Sequence, residues 1–595
     1  MPINPQNTRH ADGLPAGFRL RPDGVEHEVN ERDEGGNPVK QWVHLCSPLR
    51  VTSLARDGHG EAWGRVIEVT DPDNVVHRWT LPAELLATNP VEVVGRLVGL
   101  GLRLPLQPST RATLVSLLNR WSPTCRVRST PHLGWADDTC STFVLGDGSS
   151  IGSEQVVLQS RTPAGPAAQM RPGGTLEGWR DGVATLAIGN PVLLASISVA
   201  LAGPLLLPLG QDGGGVHLRG ESSRGKTTAL AAAGSVWGSP AFKATWRATS
   251  NGLESIAAAC NSTALLLDEM SEVDGRAAGE VAYMVSNGTG KARAARDGSS
   301  RSAARWRLAF ISTGEIGLAD KMAEANRRPM AGQAVRLLDL HVTDRRYGVF
   351  DYLHCQPTGD AFARRLAEAA ASDYGHAGPA LVRWLLEDKA TRLAAAAAHL
   401  EAFRHAASDR VSDAGPQVQR VINRLAVFAA AGELASDAGI TGWAAGAATA
   451  AMLDMLQVWI HGRGGKGDAE AVDALQRVQH FLLKHGDSRF EDLTVFGDDR
   501  RTVPNRAGWR DSQCFHLHAE AMAEVFQGGN LRAGLKALLA AGWLQPGDSS
   551  HLAARLSTVP GRPRVYRIVR SALGLDDSEL VERPAAQQES SSALF

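Results

Sequence analysis

One stretch limits what this chain can fold into: Val216-His217-Leu218-Arg219-Gly220-Glu221-Ser222-Ser223-Arg224-Gly225-Lys226-Thr227-Thr228. It reads as a short strand, a glycine-bracketed loop and a helix continuing through Ala233. Gly220, Gly225, Lys226 and Thr227 fill every fixed position of the phosphate-binding loop, G-x-x-x-x-G-K-[ST]. The chemistry needs these residue types. Glycines let consecutive backbone N–H groups turn inward on phosphates, and the helix N-terminus adds its positive dipole end. Lys226 can then reach the β- and γ-phosphates of ATP, and the Thr227 hydroxyl can hold Mg²⁺. A chance match in a chain with 62 glycines is the bland alternative. The strand–loop–helix context argues against it.

Downstream of the loop, the chain has the order of a nucleotide-hydrolysing core. A second strand is expected at Phe242–Trp246, a helix at Gly252–Cys260, and a third strand at Thr263–Leu267. That strand ends in Asp268-Glu269, the Walker B pattern, in which Asp268 joins the Mg²⁺ shell and Glu269 polarises the attacking water. A fourth strand, Trp306–Ile311, delivers Ser312-Thr313, where a polar side chain can orient water (sensor 1) or merely cap the next turn. Arg336 opens a fifth strand and suits a finger reaching a neighbouring subunit's nucleotide, with Arg327 and Arg328 as competitors and a structural salt bridge as the alternative. Between strands three and four, Asn287–Gly298 carries Lys291, Arg293 and Arg296 between turn signals. A basic hairpin there fits a phosphate backbone, or a solvated surface loop.

Composition narrows the classes. With 62 basic against 63 acidic side chains, no global basic field advertises nucleic acid, so DNA contact must come from local clusters. The six cysteines are dispersed without a C-x-x-C pair, which argues against a zinc site or disulfide scaffold and suits a cytoplasmic protein. The longest apolar run, Val192–Leu207, is interrupted by Ser and Pro and reads as a buried core helix rather than a membrane span.

Pattern and composition together divide the chain into segments. Residues 1–16 read as a disordered leader, and 17–90 as a small β-rich domain whose three tryptophans, Trp42, Trp63 and Trp79, are better suited to core packing than to base stacking. A mixed α/β region spans 91–175, the α/β ATPase core 176–350, and an alanine-rich helical lid with its extension 351–468, where Arg420 or Arg424 could serve as sensor 2. Residues 469–575 read as helices, Gly542-Trp543-Leu544 and a basic hairpin bearing Arg555, Arg562, Arg564 and Arg567, the pattern of a winged helix. Residues 576–595 read as a disordered tail.

From about Gly134 to Arg336 the chain resembles the bacterial mobile-element family catalogued as domain of unknown function 927. The resemblance rests on Gly134-Trp135, Leu176-Glu177-Gly178-Trp179-Arg180, Gly220 to Thr227, Thr249 to Glu254, Leu267-Asp268-Glu269, Gly290 to Arg293, and Trp306 with Ser312 to Glu315. Helicases of staphylococcal chromosome cassettes look similar to this group and resemble minichromosome-maintenance AAA+ helicases. The resemblance implies an AAA+ P-loop core in a ring, usually a hexamer, that binds ATP between subunits and translocates on DNA. It implies that Lys291 and its neighbours track the strand and that Val335–Leu340 is the arginine-finger segment. One departure stands: the relatives commonly carry Asn at sensor 1, and here the choice is Ser312 or Thr313.

The expected function is ATP-driven DNA unwinding during replication of a mobile element. An ATP-gated initiator without processive unwinding is the alternative, and a protein remodeller the third possibility.

Overall fold

The structure, a computed structural model, describes residues 12–32, 37–105, 107–159, 168–291, 293–294, 300–301, 303–327, 331–411, 414–463, 469–495, 503–527, 530–547 and 551–571. Arg296, Arg328, residues 1–11 of the expected leader, the glycine-rich linker at 464–467 and the expected tail lie outside these residues. The chain forms two compact units: Met1–Ser412 with Gln419–Gly462, and Asp413–Val418 with Arg463–Phe595.

The centre of the first unit is a five-stranded sheet. Its elements in chain order are β1 (Gly214–Arg219), α1 (Lys226–Gly234), β2 (Ala244–Thr245), α2 (Ser250–Ala259), β3 (Ala264–Asp268), α3 (Gly275–Asn287), β4 (Ala309–Gly314) and β5 (Leu337–His341). The strands run in the spatial order β2-β3-β4-β1-β5, and every pairing is parallel. Strands of such a sheet are covered on both faces, so they read as continuous apolar runs. β3 and β4 are buried from end to end. The helix Pro191–Leu201 is also buried, and it packs on α1, β3, β4 and the helix Ala447–Gly462. No helix among the described residues is long and apolar enough to cross a membrane.

Tryptophans fasten these layers. The ring N–H of Trp135 donates to the carbonyl of Pro204 (2.8 Å), that of Trp237 to Ala200 (2.7 Å), that of Trp306 to Val285 (2.9 Å) and that of Trp443 to Ala184 (2.8 Å). Trp179 donates to Ser235 Oγ at 2.8 Å. All five rings are buried and tie together segments distant in sequence.

The N-terminal region does not end near residue 90. Its five-stranded sheet takes two strands from beyond that point, Arg126–Thr130 and Val156–Leu158, beside Leu49–Arg56. The helices Pro90–Gly99 and Pro108–Arg120 lay Val93, Val94, Leu97, Leu114, Leu117 and Leu118 into the same core as Val51, Ile67 and Trp79. An amphipathic helix must cover its apolar stripe, and the nearest uncovered surface is this sheet. Residues 12–16 of the expected leader are also tied in: Asp12 accepts from the Thr124 N–H at 2.6 Å, and its carbonyl accepts from Trp121 Nε1 at 3.1 Å. Of the three N-terminal tryptophans only Trp79 is buried. Trp42 and Trp63 lie nearer the surface beneath Arg19 and Arg56.

The second unit has its own core, in which Val478, Leu482, Phe515, Leu517, Met522, Leu538 and Ile568 meet. Helix Ala469–His485, strand Cys514–His518, helices Ala519–Val525 and Leu531–Ala540, and strands Leu544–Gln545 and Arg564–Val569 come in that order. Arg564–Val569 pairs antiparallel with Cys514–His518, Leu544–Gln545 and Ala554–Arg555.

Asn190 pins the segment after β5. It is wholly buried; its Nδ2 donates to the carbonyls of Leu186 (3.1 Å) and Tyr352 (2.9 Å), and its Oδ1 accepts from the N–H groups of Asp351 (2.9 Å) and Tyr352 (3.0 Å). Asn190→Ala strands several buried backbone groups and should lower unfolding free energy by about 3 kcal/mol. Chemical denaturation of the two proteins checks this.

Candidate functional site

β1 ends at Arg219, and the loop Gly220–Gly225 turns the chain into α1. Gly220 has φ +153°, and a Cβ there would sit 2.1 Å from Thr343 Oγ1. At Gly225, φ +91°, a Cβ would meet the Phe350 ring at 2.7 Å. Both glycines are required by close approach as well as by backbone conformation. The segment after β5 forms the outer wall. Thr343 Oγ1 accepts from the Glu221 N–H at 3.4 Å, and the Val349 N–H donates to the Arg224 carbonyl at 2.9 Å. Arg345 holds this wall by ion pairs to Asp351 (2.6 Å) and Asp454.

Lys226 is buried at the mouth of the loop, with Nζ donating to the carbonyls of Gly220 (2.8 Å) and Glu221. Burial holds its pKa below the usual lysine value, against the opposing pull of Glu315, Glu269, Asp268 and Glu221. Thr227 and Thr228 lie in the first turn of α1, with Thr227 exposed. Ser222, Ser223 and Arg224 form the exposed crest of the loop, and Arg224 pairs with Glu221 at 2.8 Å.

Strand alternation then sorts the remaining residues onto two faces. Register sets Leu218 beside Thr313, and Ser312 between His217 on one side and Leu267 on the other. On one face Asp268, buried at the end of β3, accepts a hydrogen bond from the Thr313 hydroxyl on one carboxylate oxygen and an ion pair from Lys243 at 3.1 Å on the other. On the opposite face Ser312 Oγ is held between His217 Nδ1 (2.9 Å) and Trp246 Nε1 (2.8 Å). His217 Nε2 lies 2.9 Å from the Ile316 carbonyl, so Nε2 carries the proton and Ser312 donates to Nδ1. Burial pushes the His217 pKa down, which keeps the ring neutral. Thr313, not Ser312, is therefore the side chain turned toward Asp268. The sequence pattern places both at a strand tip; β4 instead begins three residues later than expected and runs on through Gly314.

Glu269 stands just past β3 in the left-handed region, φ +57°, and is exposed; the Ser271 hydroxyl donates to it at 3.4 Å. A non-glycine residue held in that conformation is strained, and such strain clusters at functional sites.

Arg336 lies at the other end of the sheet. Its carbonyl accepts from the Gly215 N–H at 3.0 Å, and its guanidinium lies 4.9 Å over the Tyr283 ring. Four strand positions separate Gly215 from Arg219, so Arg336 stands on the order of 13 Å from its own loop. Arg327 donates to the Arg276 carbonyl at 3.0 Å. Arg424 lies at the opposite end of β1 from the Gly220–Gly225 loop, where it binds the carbonyls of Gly213 (3.2 Å) and Val335. Burial, then the Arg336 charge, push its pKa to about 10. Arg420 is exposed on its helix.

A hairpin forms here, but its second strand lies beyond the expected end at Gly298. Arg293–Ala294 pairs antiparallel with Ser300–Arg301, above a bridge between Thr289 and Arg305. Lys291 forms an exposed ion pair with Glu280 at 2.8 Å, an acidic neighbour the local sequence did not reveal. In the second unit Arg555 and Arg564 face each other across the last hairpin, both exposed, with Arg562 at the turn. Lys243 and Thr343 carry no local sequence signal, because their roles arise from register and from a strap distant in the chain.

Residues 18–305 match the family described as Domain of unknown function (DUF927). The match begins well before Gly134, so the N-terminal sheets lie within it, and it ends before Ser312, Thr313 and Arg336. No curated protein matches the chain. A solved structure described as "SCCmec type IV Cch - active helicase" is similar over 94% of this chain and 99% of that one, with TM-score 0.67 and 17% identity. At that identity the likeness shows a shared fold.

Ser312→Ala would strand His217 Nδ1 and Trp246 Nε1 in the core, and should cost about 2 kcal/mol of stability. The His217 pKa is depressed in the folded state, so protonation favours unfolding. The stability advantage of wild type over His217→Asn should therefore shrink as pH falls below about 6.5, when measured by denaturation at pH 7.5, 6 and 5.

Proposed function

Residues 18–305 match the DUF927 family model, and from that premise we propose that this chain is a ring-forming AAA+ DNA helicase that binds and hydrolyses ATP between subunits. The observation that carries the reading is the convergence of Lys226, Thr227, Asp268, Glu269 and Thr313 at the C-terminal ends of β1, β3 and β4. Ligands of open parallel α/β sheets bind at those ends.

The donor set fits Mg·ATP. The loop has no room for side chains at Gly220 and Gly225, and Thr227 and Asp268 offer the hard oxygen ligands that Mg²⁺ prefers. Held by Thr227 and Asp268, Mg²⁺ would supply positive charge against the charge developing on the phosphates. Lys226 exchanges its two loop carbonyls for phosphate oxygens. Thr313 fixes the rotamer of Asp268. Glu269 accepts a hydrogen bond from the attacking water and orients it. Arg336, just before the edge strand β5 and distant from its own loop, serves the site of the next protomer, where it stabilises transition-state charge.

For DNA, Lys291 forms the contact in the central channel. Its ion pair with Glu280 is exposed and worth at most ~1 kcal/mol, so a phosphate can replace the carboxylate. The second unit has the helix–strand–helix–helix–hairpin order of a winged helix, and Arg555, Arg562 and Arg564 form its basic wing.

Strand displacement on 3′- and 5′-tailed forks tests the proposal. Wild type should displace one of the two. Lys226→Ala should weaken ATP binding by roughly 10- to 100-fold, from loss of charge-assisted hydrogen bonds. Glu269→Gln should retain binding and slow turnover by about 10²- to 10⁴-fold. ATP hydrolysis without displacement on either fork would favour the initiator reading. Lys291→Ala should abolish displacement while leaving oligomerisation and most basal hydrolysis in place; normal unwinding would remove the hairpin from the DNA path. The double variant Arg555→Ala, Arg564→Ala should weaken duplex binding equally across sequences and reduce the slope of log affinity against log salt by about 2.

A further inference from the structure

Lys243 has no place in the proposed hydrolysis, yet it makes the closest charged contact to the proposed metal ligand. It stands one residue before β2. Ala244 pairs with Leu267 and Thr245 with Asp268, so Lys243 and Asp268 share a face of the sheet on a diagonal. The four-carbon stem spans that diagonal and sets Nζ 3.1 Å from Asp268 Oδ2. The environments of the two ends differ. Asp268 keeps 9% of its side-chain exposure and Lys243 keeps 43%, so the carboxylate is fixed and the ammonium can leave.

A carboxylate buried this deeply needs a positive partner, because removing it from water without one is costly. Thr313 supplies a hydrogen bond to the other oxygen, but no charge. Lys226, the other nearby cation, is occupied by the carbonyls of Gly220 and Glu221. Lys243 is therefore the group that neutralises Asp268, and a divalent cation seeking the same oxygen must displace it.

We propose that Lys243 is a resident stand-in for the divalent cation: it holds Asp268 ready in the metal-free protein, and its displacement makes nucleotide binding depend on metal concentration. This inference rests on the reading of the loop as a nucleotide site. It predicts two opposite changes on neutralising the side chain. Metal-free ATP would meet an uncompensated Asp268 and bind more weakly. Metal would meet no competitor and bind at lower concentration.

The test uses the full chain, a fluorescent non-hydrolysable ATP analogue and Mg²⁺ titrations, with Mn²⁺ binding followed by electron paramagnetic resonance. Lys243→Met should lower the Mg²⁺ and Mn²⁺ concentrations needed for half-saturation by about fivefold or more, and should weaken analogue binding in EDTA by a similar factor. Lys243→Arg, which keeps the charge, should retain the wild-type metal demand. Lys243→Gln carries the same test if thermal melting shows that the methionine variant does not fold. An unchanged metal dependence in both neutral variants would overturn the inference and leave the nucleotide site standing. Equal analogue binding by wild type and Lys226→Ala would sink the nucleotide reading itself, and this inference with it.

Discussion

A carboxylate buried at the end of β3 is the constraint around which the site is arranged. Asp268 is tolerable there because the two neighbouring strands bring it partners: the Thr313 hydroxyl from β4 and the Lys243 charge from the approach to β2. The strand order makes this possible. β4 lies between β1 and β3, so a side chain on β4 can reach the buried acid on the neighbouring strand. With β4 elsewhere, Asp268 would keep its position and lose its hydrogen-bond donor.

The same strands carry a second polar cluster on the opposite face, and the two do different work. His217, Ser312 and Trp246 satisfy one another completely and lock β1, β4 and the end of β2 together. Asp268, Thr313 and Lys243 include one exposed, replaceable member. Adjacent residues Ser312 and Thr313 thus belong to two different clusters, separated only by the two-residue period of a strand.

Much of this was legible in the sequence because it is local. The strand–loop–helix around Gly220–Lys226, the apolar run ending in Asp268-Glu269 and the helices of both units each arise from patterns within a dozen residues. What was not legible depends on register. The start of β4 at Ala309 rather than Trp306 decides which of Ser312 and Thr313 meets Asp268, and no local pattern marks that offset. The N-terminal boundary failed for a related reason. Arg126–Thr130 joins Leu49–Arg56 across more than seventy residues, and only the need to cover one apolar sheet with two helices explains it. The landmarks of the family resemblance also gain a physical meaning. Trp135, Trp179 and Trp306 are buried fasteners, and Gly134 allows the chain to pass where a Cβ would lie 2.3 Å from Ser262. They identify the architecture rather than the chemistry.

Two arginines at the far end of the sheet show how the architecture prepares a surface. Arg424 binds the carbonyls of Gly213 and Val335, so it satisfies the exposed ends of β1 and β5 from within. Its buried charge opposes that of Arg336, the residue immediately after Val335. Repulsion in a poorly solvated setting favours the arrangement in which the second guanidinium turns away, and Arg336 lies over the half-exposed ring of Tyr283. Nη1 of Arg336 also donates to the Gly332 carbonyl at 3.1 Å, so an anion would meet the remaining N–H groups in the plane of the guanidinium. In the proposed ring, an arginine held this way at an edge strand is directed outward by the protomer that carries it. The anion it would meet belongs to the neighbour.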